Sequence, residues 1–189
     1  MLLALLRDPR FYAMKLRMDR ALLEEMRSKA CRRCGNALHA SDFGRKPRGG
    51  PAGLGEEADV RFSLCCARCR KRHTPPSVRF LGRKVYWSAV VVVVSAMRHG
   101  ATPARMRKLR EHFGVSRRTV ERWRAWWRED FVESALWKAA TAAFMPPVER
   151  DLLPASLLER FSGNAEGRLL ALLRFFGPIT GGAGLAQAG

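Results

Sequence analysis

The clearest chemistry in this sequence sits on its cysteines. Four of the five fall in two pairs, Cys31-x-x-Cys34 within CRRCG and Cys66-x-x-Cys69 within CCARCR, with 31 residues between the pairs. Two thiols two residues apart can turn inward on a tight knuckle, and Gly35 suits the strained backbone there. Two knuckles supply the four tetrahedral thiolates that Zn²⁺ takes. A closed site of this kind holds a small fold together and leaves no open position for catalysis. Cys65 is the alternative to Cys66 as fourth ligand, and is otherwise a free thiol. His39 and His73 lie near the knuckles, but four thiolates already fill the site, so both are expected at the surface. No βαβ pattern surrounds the pairs, which argues against a redox dithiol.

A second group of residues could read nucleic acid. Residues 102–128 run TPARMRKLREHFGVSRRTVERWRAWWR. Thr102 and Pro103 form a cap and first turn for one helix ending at Phe113. Gly114 allows a left-handed turn, Val115 plugs the core and Ser116 caps a second helix. On that helix Val120, Trp123 and Trp127 make one buried face. Arg117, Arg118, Glu121 and Arg122 then occupy its N-terminal, outward side, the part of a recognition helix that reaches base edges in the major groove. Arg forks onto guanine O6 and N7, and Glu accepts from cytosine N4. Arg105, Lys108, Arg124 and Arg128 are placed for phosphates. One residue departs from a helix-turn-helix: Arg110, four before Gly114, stands where a small residue would sit in the helix crossing. Trp126, next to Trp127, is read as core, with stacking on a base as the alternative.

Several elements must position these groups. Arg10 to Lys29 carries Phe11, Met14, Met18, Leu22 and Met26 at steps of three and four, an amphipathic helix with charges opposite. Val60, Phe62 and Leu64 alternate with Arg61, Ser63 and Cys65, predicting a strand with one buried face, and Ser77 to Leu81 suggests another. The Gly- and Pro-rich stretch 44–58 is expected to be a flexible loop. Val85 to His99 contains five consecutive valines, which favour a strand. Its length and Gly100 just beyond favour a helix, which is the expectation adopted. Beyond Glu129, helices broken at Pro146-Pro147 and Pro154 are followed by one starting near Asn164. The fold class expected is α+β, mostly α. Residues 1–30 form an N-terminal amphipathic helix, 31–81 a zinc ribbon, 83–129 a helix-turn-helix domain and 130–176 C-terminal helices. Residues 177–189 form a disordered tail.

The composition points to an acidic polymer as partner. The 189 residues carry 35 Lys and Arg against 17 Asp and Glu, a net charge of +18. Residues 28–84 hold +10 of this and residues 98–128 hold +8, while 129–189 are slightly acidic. Nucleic acid is the leading partner and an anionic membrane surface the second. The uncharged, valine-rich run Val85 to Met97 is thirteen residues, short of the roughly 20 that span a bilayer. The apolar start, MLLALL, is interrupted at once by Arg7, Asp8 and Pro9, unlike a secretory signal. These features predict a cytoplasmic, nucleoid-associated protein with reduced cysteines.

Taken in order, CRRCG, CCARCRKR, SVRFLGRKVYWSAVVVVVSAM and KLREHFGVSRRTVERW resemble the N-terminal region of insertion-sequence transposases that carry a zinc ribbon followed by a helix-turn-helix. The resemblance covers roughly residues 31–129. It implies structural zinc on Cys31, Cys34, Cys66 and Cys69, and a Val85–His99 helix packed on the helix-turn-helix. In that family the two modules bind transposon ends, and an RNase H-like domain with an Asp/Asp/Glu triad does the cutting. Only sixty residues follow Glu129, too few for such a core. The acids there (Asp130, Glu133, Glu149, Asp151, Glu159, Glu166) lie in helical, Leu-rich sequence, so catalysis does not carry over and no enzyme is expected. The expectation is a sequence-specific duplex DNA-binding protein of mobile-element type, binding transposon ends or regulatory DNA. Two alternatives stand beside it: the DNA-binding subunit of a split transposase whose nuclease is on a separate chain, and an RNA-binding zinc-ribbon protein. A homodimer on paired half-sites is a further expectation.

Overall fold

A computed structural model describes residues 2–82, 84–97 and 102–181. After a short helix α1 (Leu2–Leu5), the long helix α2 runs Pro9–Ser28. It starts where the sequence says it should. The Asp8 carboxylate accepts the Arg10 N–H at 2.9 Å and Pro9 fills the first turn. Its buried face is not the expected Met-rich stripe. Phe11, Tyr12, Lys15, Asp19 and Leu23 are buried, while Met14, Met18, Leu22 and Met26 are only half-buried. The helix turns two of its charges inward: Asp19 meets hydrogen-bond donors inside the fold, and Lys15 is enclosed by aromatic rings.

Among the described residues five short strands follow: β1 (Leu38–Ala40), β2 (Phe43–Gly44), β3 (Val60–Arg61), β4 (Leu64–Cys66) and β5 (Arg72–His73). They form an antiparallel sheet in the order β1-β4-β5 and a separate antiparallel pair β2-β3. The register sets Leu38 opposite Cys66, and His39 opposite Cys65. The single strand expected through Val60, Phe62 and Leu64 is broken, and Arg61 and Ser63 are buried instead of exposed. Ser63 N–H turns to the Asp42 carboxylate at 2.7 Å. The Arg61 guanidinium donates inward to the carbonyls of Pro75 and Thr180. Ser77–Leu81 is not a strand either. Phe80 makes one isolated bridge to Trp87, and the rest of the segment wraps the Asp19 carboxylate.

The helical part comprises α3 (Ser88–Ser95), α4 (Pro103–Phe113), α5 (Arg117–Arg128), α6 (Ala135–Ala140), α7 (Ala155–Leu158), α8 (Ala165–Phe175) and α9 (Gly177–Thr180). All eight residues of α3 are buried, so its valines are helical because they are enclosed on every side, tertiary packing overriding β propensity. The helix is shorter than expected. It begins at Ser88, because Val85 and Trp87 are tied by backbone hydrogen bonds to Arg48. The end expected at His99 lies outside the described residues. α3 packs on α5 and α8. Leu169, Leu172, Leu173 and Phe176 share one core with Val90–Val94 and Trp127. α8 starts at Asn164, whose side chain accepts the Gly167 N–H at 2.8 Å. The expected disordered tail is ordered at its beginning: α9 covers Gly177–Thr180, and Thr180 is buried, its hydroxyl accepting the Ser77 N–H at 2.8 Å. Residues 182–189 lie outside the described residues.

A second, smaller core gathers Leu23, Leu38, Phe62 and Leu64 around Cys31 and Cys66. α2 joins the two, with Phe11 and Tyr12 in the large core and Leu23 in the small one. Between them lies a buried polar junction. Asp19 accepts from Arg79 Nε at 2.8 Å, from the Val78 N–H at 2.8 Å and from the Ser77 hydroxyl. The Arg79 guanidinium also reaches the carbonyls of Glu57, Ala58 and Val60. Among the described residues no helix is long and apolar enough to cross a membrane.

Candidate metal centre and basic helical surface

Two backbone knuckles of the same design present the four thiols. In the first, the Gly35 N–H donates to the Cys31 carbonyl at 2.8 Å. In the second, the Arg70 N–H donates to the Cys66 carbonyl at 3.2 Å. Gly35 has φ 68° and Arg70 φ 58°, so Arg70 occupies the left-handed position that glycine fills in the first knuckle. The sulfurs of Cys31, Cys34, Cys66 and Cys69 all lie within 4.8 Å of one another. Cys34 and Cys66 are 3.4 Å apart and Cys31 and Cys69 3.6 Å. Four sulfurs at about 2.3 Å from a tetrahedral ion would be about 3.8 Å apart, so the arrangement is sized for a metal.

The electrostatics of the donor set agree. The Cys69 backbone N–H, donating to Cys66 Sγ at 3.4 Å, leads in pulling that thiol down to about 6 against the effect of burial. At Cys69 a backbone hydrogen bond from Lys71 favours the thiolate, but burial and the sulfurs of Cys31, Cys66 and Cys34 together push the thiol up to about 11. The neighbouring sulfurs thus favour ionisation of Cys66 and oppose that of Cys69, and a cation bound among them would favour the thiolate of both.

Cys66, not Cys65, completes the group. Cys65 alternates to the other side of β4, and its thiol meets the Arg70 carbonyl at 3.4 Å. His39 is exposed as expected, but His73 is not an ordinary surface residue. Its Nε2 is 3.3 Å from Cys31 Sγ, a hydrogen bond to one of the four clustered thiols. The signal that could have found it is its place on β5, beside β4, which ends in Cys66. Arg32, Arg33, Arg68, Arg70, Lys71 and Arg72 are exposed around the knuckles.

The second group is assembled by α4, a turn at residues 114–116 and α5. Thr102 and Ser116 cap their helices, accepting from Arg105 N–H at 3.4 Å and Thr119 N–H at 3.2 Å. Gly114 takes φ 63° and Val115 is fully buried. The inner faces are Leu109 and Phe113 on α4 and Val120, Trp123 and Trp127 on α5. Arg110 is exposed, so the bulky residue at the position of concern stays out of the crossing.

Arg117, Arg118, Glu121 and Arg122 are all exposed over the first turns of α5, and Arg128 is exposed at its end. Arg124 is different: it is half-buried, and its guanidinium donates to the Met97 carbonyl at 2.6 Å, tying α5 to the end of α3. Arg105 and Lys108 lie elsewhere, lining a groove of about 660 Å³ together with Leu3, Leu109 and Phe113. Trp126 is half-buried against Trp127, with the Lys84 ammonium 4.0 Å from its ring centroid, which accounts for it as packing. Burial leads in lowering the Lys84 ammonium to about 8.

No protein-family model matches the chain, and no curated protein or solved structure gives a significant match.

Proposed function

We propose that this chain is a sequence-specific duplex DNA-binding protein of mobile-element type, stabilised by a structural Zn²⁺ on Cys31, Cys34, Cys66 and Cys69. The observation that carries the reading is the α4–turn–α5 unit. A helix capped by Ser116 exposes Arg117, Arg118, Glu121 and Arg122 at its N-terminal end, while Val120, Trp123 and Trp127 anchor its back. That is the layout of a recognition helix, whose first turns enter the major groove. Lys108, Arg105 and Arg128 would hold phosphates. Arg124, committed to Met97, serves the scaffold. The order of motifs supports a role at transposon ends or on the regulatory DNA of an element, with any cleavage supplied by a separate chain.

The donor set supports zinc, since four thiolates favour Zn²⁺ over the oxygen-seeking cations. The ion would organise the knuckles and do no chemistry.

The test is selection from a random duplex pool at about 0.15 M salt, with the bound fraction sequenced. A sharp motif is expected. Arg118→Ala should then weaken the selected site by about 1–3 kcal/mol per lost base contact, and relax the preference at one position. Binding without enrichment would reduce the protein to a phosphate binder, and tighter binding to RNA of the same sequence would overturn the DNA reading.

A further inference from the structure

The loop 45–58 leaves the metal-bearing unit between β2 and β3 and docks on the two-helix unit. Arg48 N–H donates to the Val85 carbonyl at 2.8 Å, and the Trp87 N–H donates back to the Arg48 carbonyl at 3.1 Å, so Arg48 bridges Tyr86 in parallel. Tyr86 in turn donates its hydroxyl to the Gly114 carbonyl at 2.8 Å, in the turn that precedes α5. Gly49 sits so close that a Cβ on it would lie 3.2 Å from the Phe113 carbonyl oxygen. The backbone of residues 48–49 is therefore packed against the end of α4, beside the turn that launches the exposed arginines of α5.

This docking leaves two cations of the loop exposed, Arg48 on the docked segment and Lys46 two residues before it. The backbone of Arg48 is used up in the contact, yet its side chain is exposed and has no hydrogen-bond or ion-pair partner among the described residues. Lys46, two residues earlier, is exposed as well. The neighbouring Arg45 is different: its guanidinium donates to the carbonyls of Gly82 and Lys84 at 3.1 and 2.9 Å. One base of the loop fastens it, and two are left pointing to solvent.

Resting on the DNA reading above, we propose that Arg48, with Lys46, is a phosphate-binding clamp that the metal-bearing unit delivers to the flank of the α4–α5 turn. The clamp would grip the sugar-phosphate backbone bordering the groove that α5 occupies. Its chemistry is charge-assisted hydrogen bonding to phosphate oxygens, which fixes register and carries no sequence information.

The experiment uses the full chain with its metal and the duplex recovered by selection, titrated between about 50 and 200 mM salt. Arg48→Ala should weaken binding to the selected duplex and to scrambled duplexes by similar factors, and reduce the slope of log K against log salt by about one. Arg48→Lys should keep the slope. The melting temperature of Arg48→Ala should match the wild type, because the contacts that dock the loop come from the backbone. Unchanged affinity and slope in both Arg48→Ala and the Lys46→Ala, Arg48→Ala double variant, on DNA that the wild type binds, would overturn the clamp and leave the DNA reading intact. A wild type that shows no salt-dependent duplex binding would remove both.

Discussion

Lys15 shows how a single residue can set the pH response of the fold. Its side chain is fully buried, and its ammonium has no hydrogen-bond partner among the described residues. It lies 4.1, 4.8 and 5.2 Å from the ring centroids of Tyr12, Phe11 and Trp87. Desolvation dominates and lowers its pKa to about 7 from 10.5; Asp19 opposes the shift and Arg79 adds to it. Between those two values the unfolded chain holds a proton that the folded chain has released, so stability rises with pH across that window. Below it both states are charged, and the fold carries the full cost of the enclosed cation. Lys15→Met should raise the urea midpoint at about pH 6 and flatten the rise toward about pH 10; a midpoint that falls at both ends would show the aromatic cage to be a net stabiliser of the cation. The cysteines give a second outcome at this scale. Cys66→Ser should abolish stoichiometric zinc in the purified protein and Cys65→Ser should leave it unchanged, because only Cys66 shares the cluster. Equal loss in both would return Cys65 to the ligand set.

At the scale of elements, local signals and long-range contacts divide what the sequence could tell. The knuckles, the caps at Thr102 and Ser116, the helix start near Asn164 and the turn at Gly114 were legible because each is closed within a few residues. The face of α2 was not, since Lys15 and Asp19 looked like surface charges. Asp19 is buried only because Arg79, sixty positions away, meets it. The same distance hid the fate of Ser77–Leu81, whose hydrogen bonds go to a side chain instead of a strand. The loop 45–58 misled most: its glycines suggested freedom, whereas two of them permit contact. A Cβ at Gly50 would run into the indole of Trp87, with Cδ1 at 2.9 Å. Trp87 cannot retreat, being 2% exposed and held edge-on by Tyr12 at 5.0 Å and stacked on Phe80 at 5.7 Å. Gly50→Ala is therefore expected to destabilise by roughly 1–3 kcal/mol, measured by denaturant unfolding. A change within a few tenths would mean that the loop is free to lift.

The whole molecule is tied together across the boundary that its motifs suggest. Among the described residues, contacts of three kinds join the cysteine-bearing unit to the helices: the Arg48 backbone on Val85 and Trp87 with Gly49 against the end of α4, Asp19 with Arg79 at the centre, and Arg61 with Thr180 at α9. The central pair is fully enclosed, and losing one partner of such a pair costs about 3–5 kcal/mol. The two basic blocks, +10 and +8, are thus carried on one body. If six to ten phosphates are engaged, affinity for duplex should fall on the order of a thousandfold or more between about 50 and 200 mM salt, and a flat response would remove the electrostatic basis of binding. The same coupling decides how the fold should melt. A metal held by the native state alone stabilises everything that unfolds with it. Were the metal unit an independent bead, chelation would melt it and leave the helical core untouched. Here the knuckles frame the sheet that supports α2, and α2 carries Phe11 and Tyr12 into the large core and Asp19 into the junction between the two cores. With zinc on the four thiols as proposed, stripping it should therefore lower the midpoint of a single cooperative transition, with far-UV circular dichroism and tryptophan fluorescence moving together. A chelated protein whose fluorescence transition stays in place while part of the circular dichroism is lost would show two separable units.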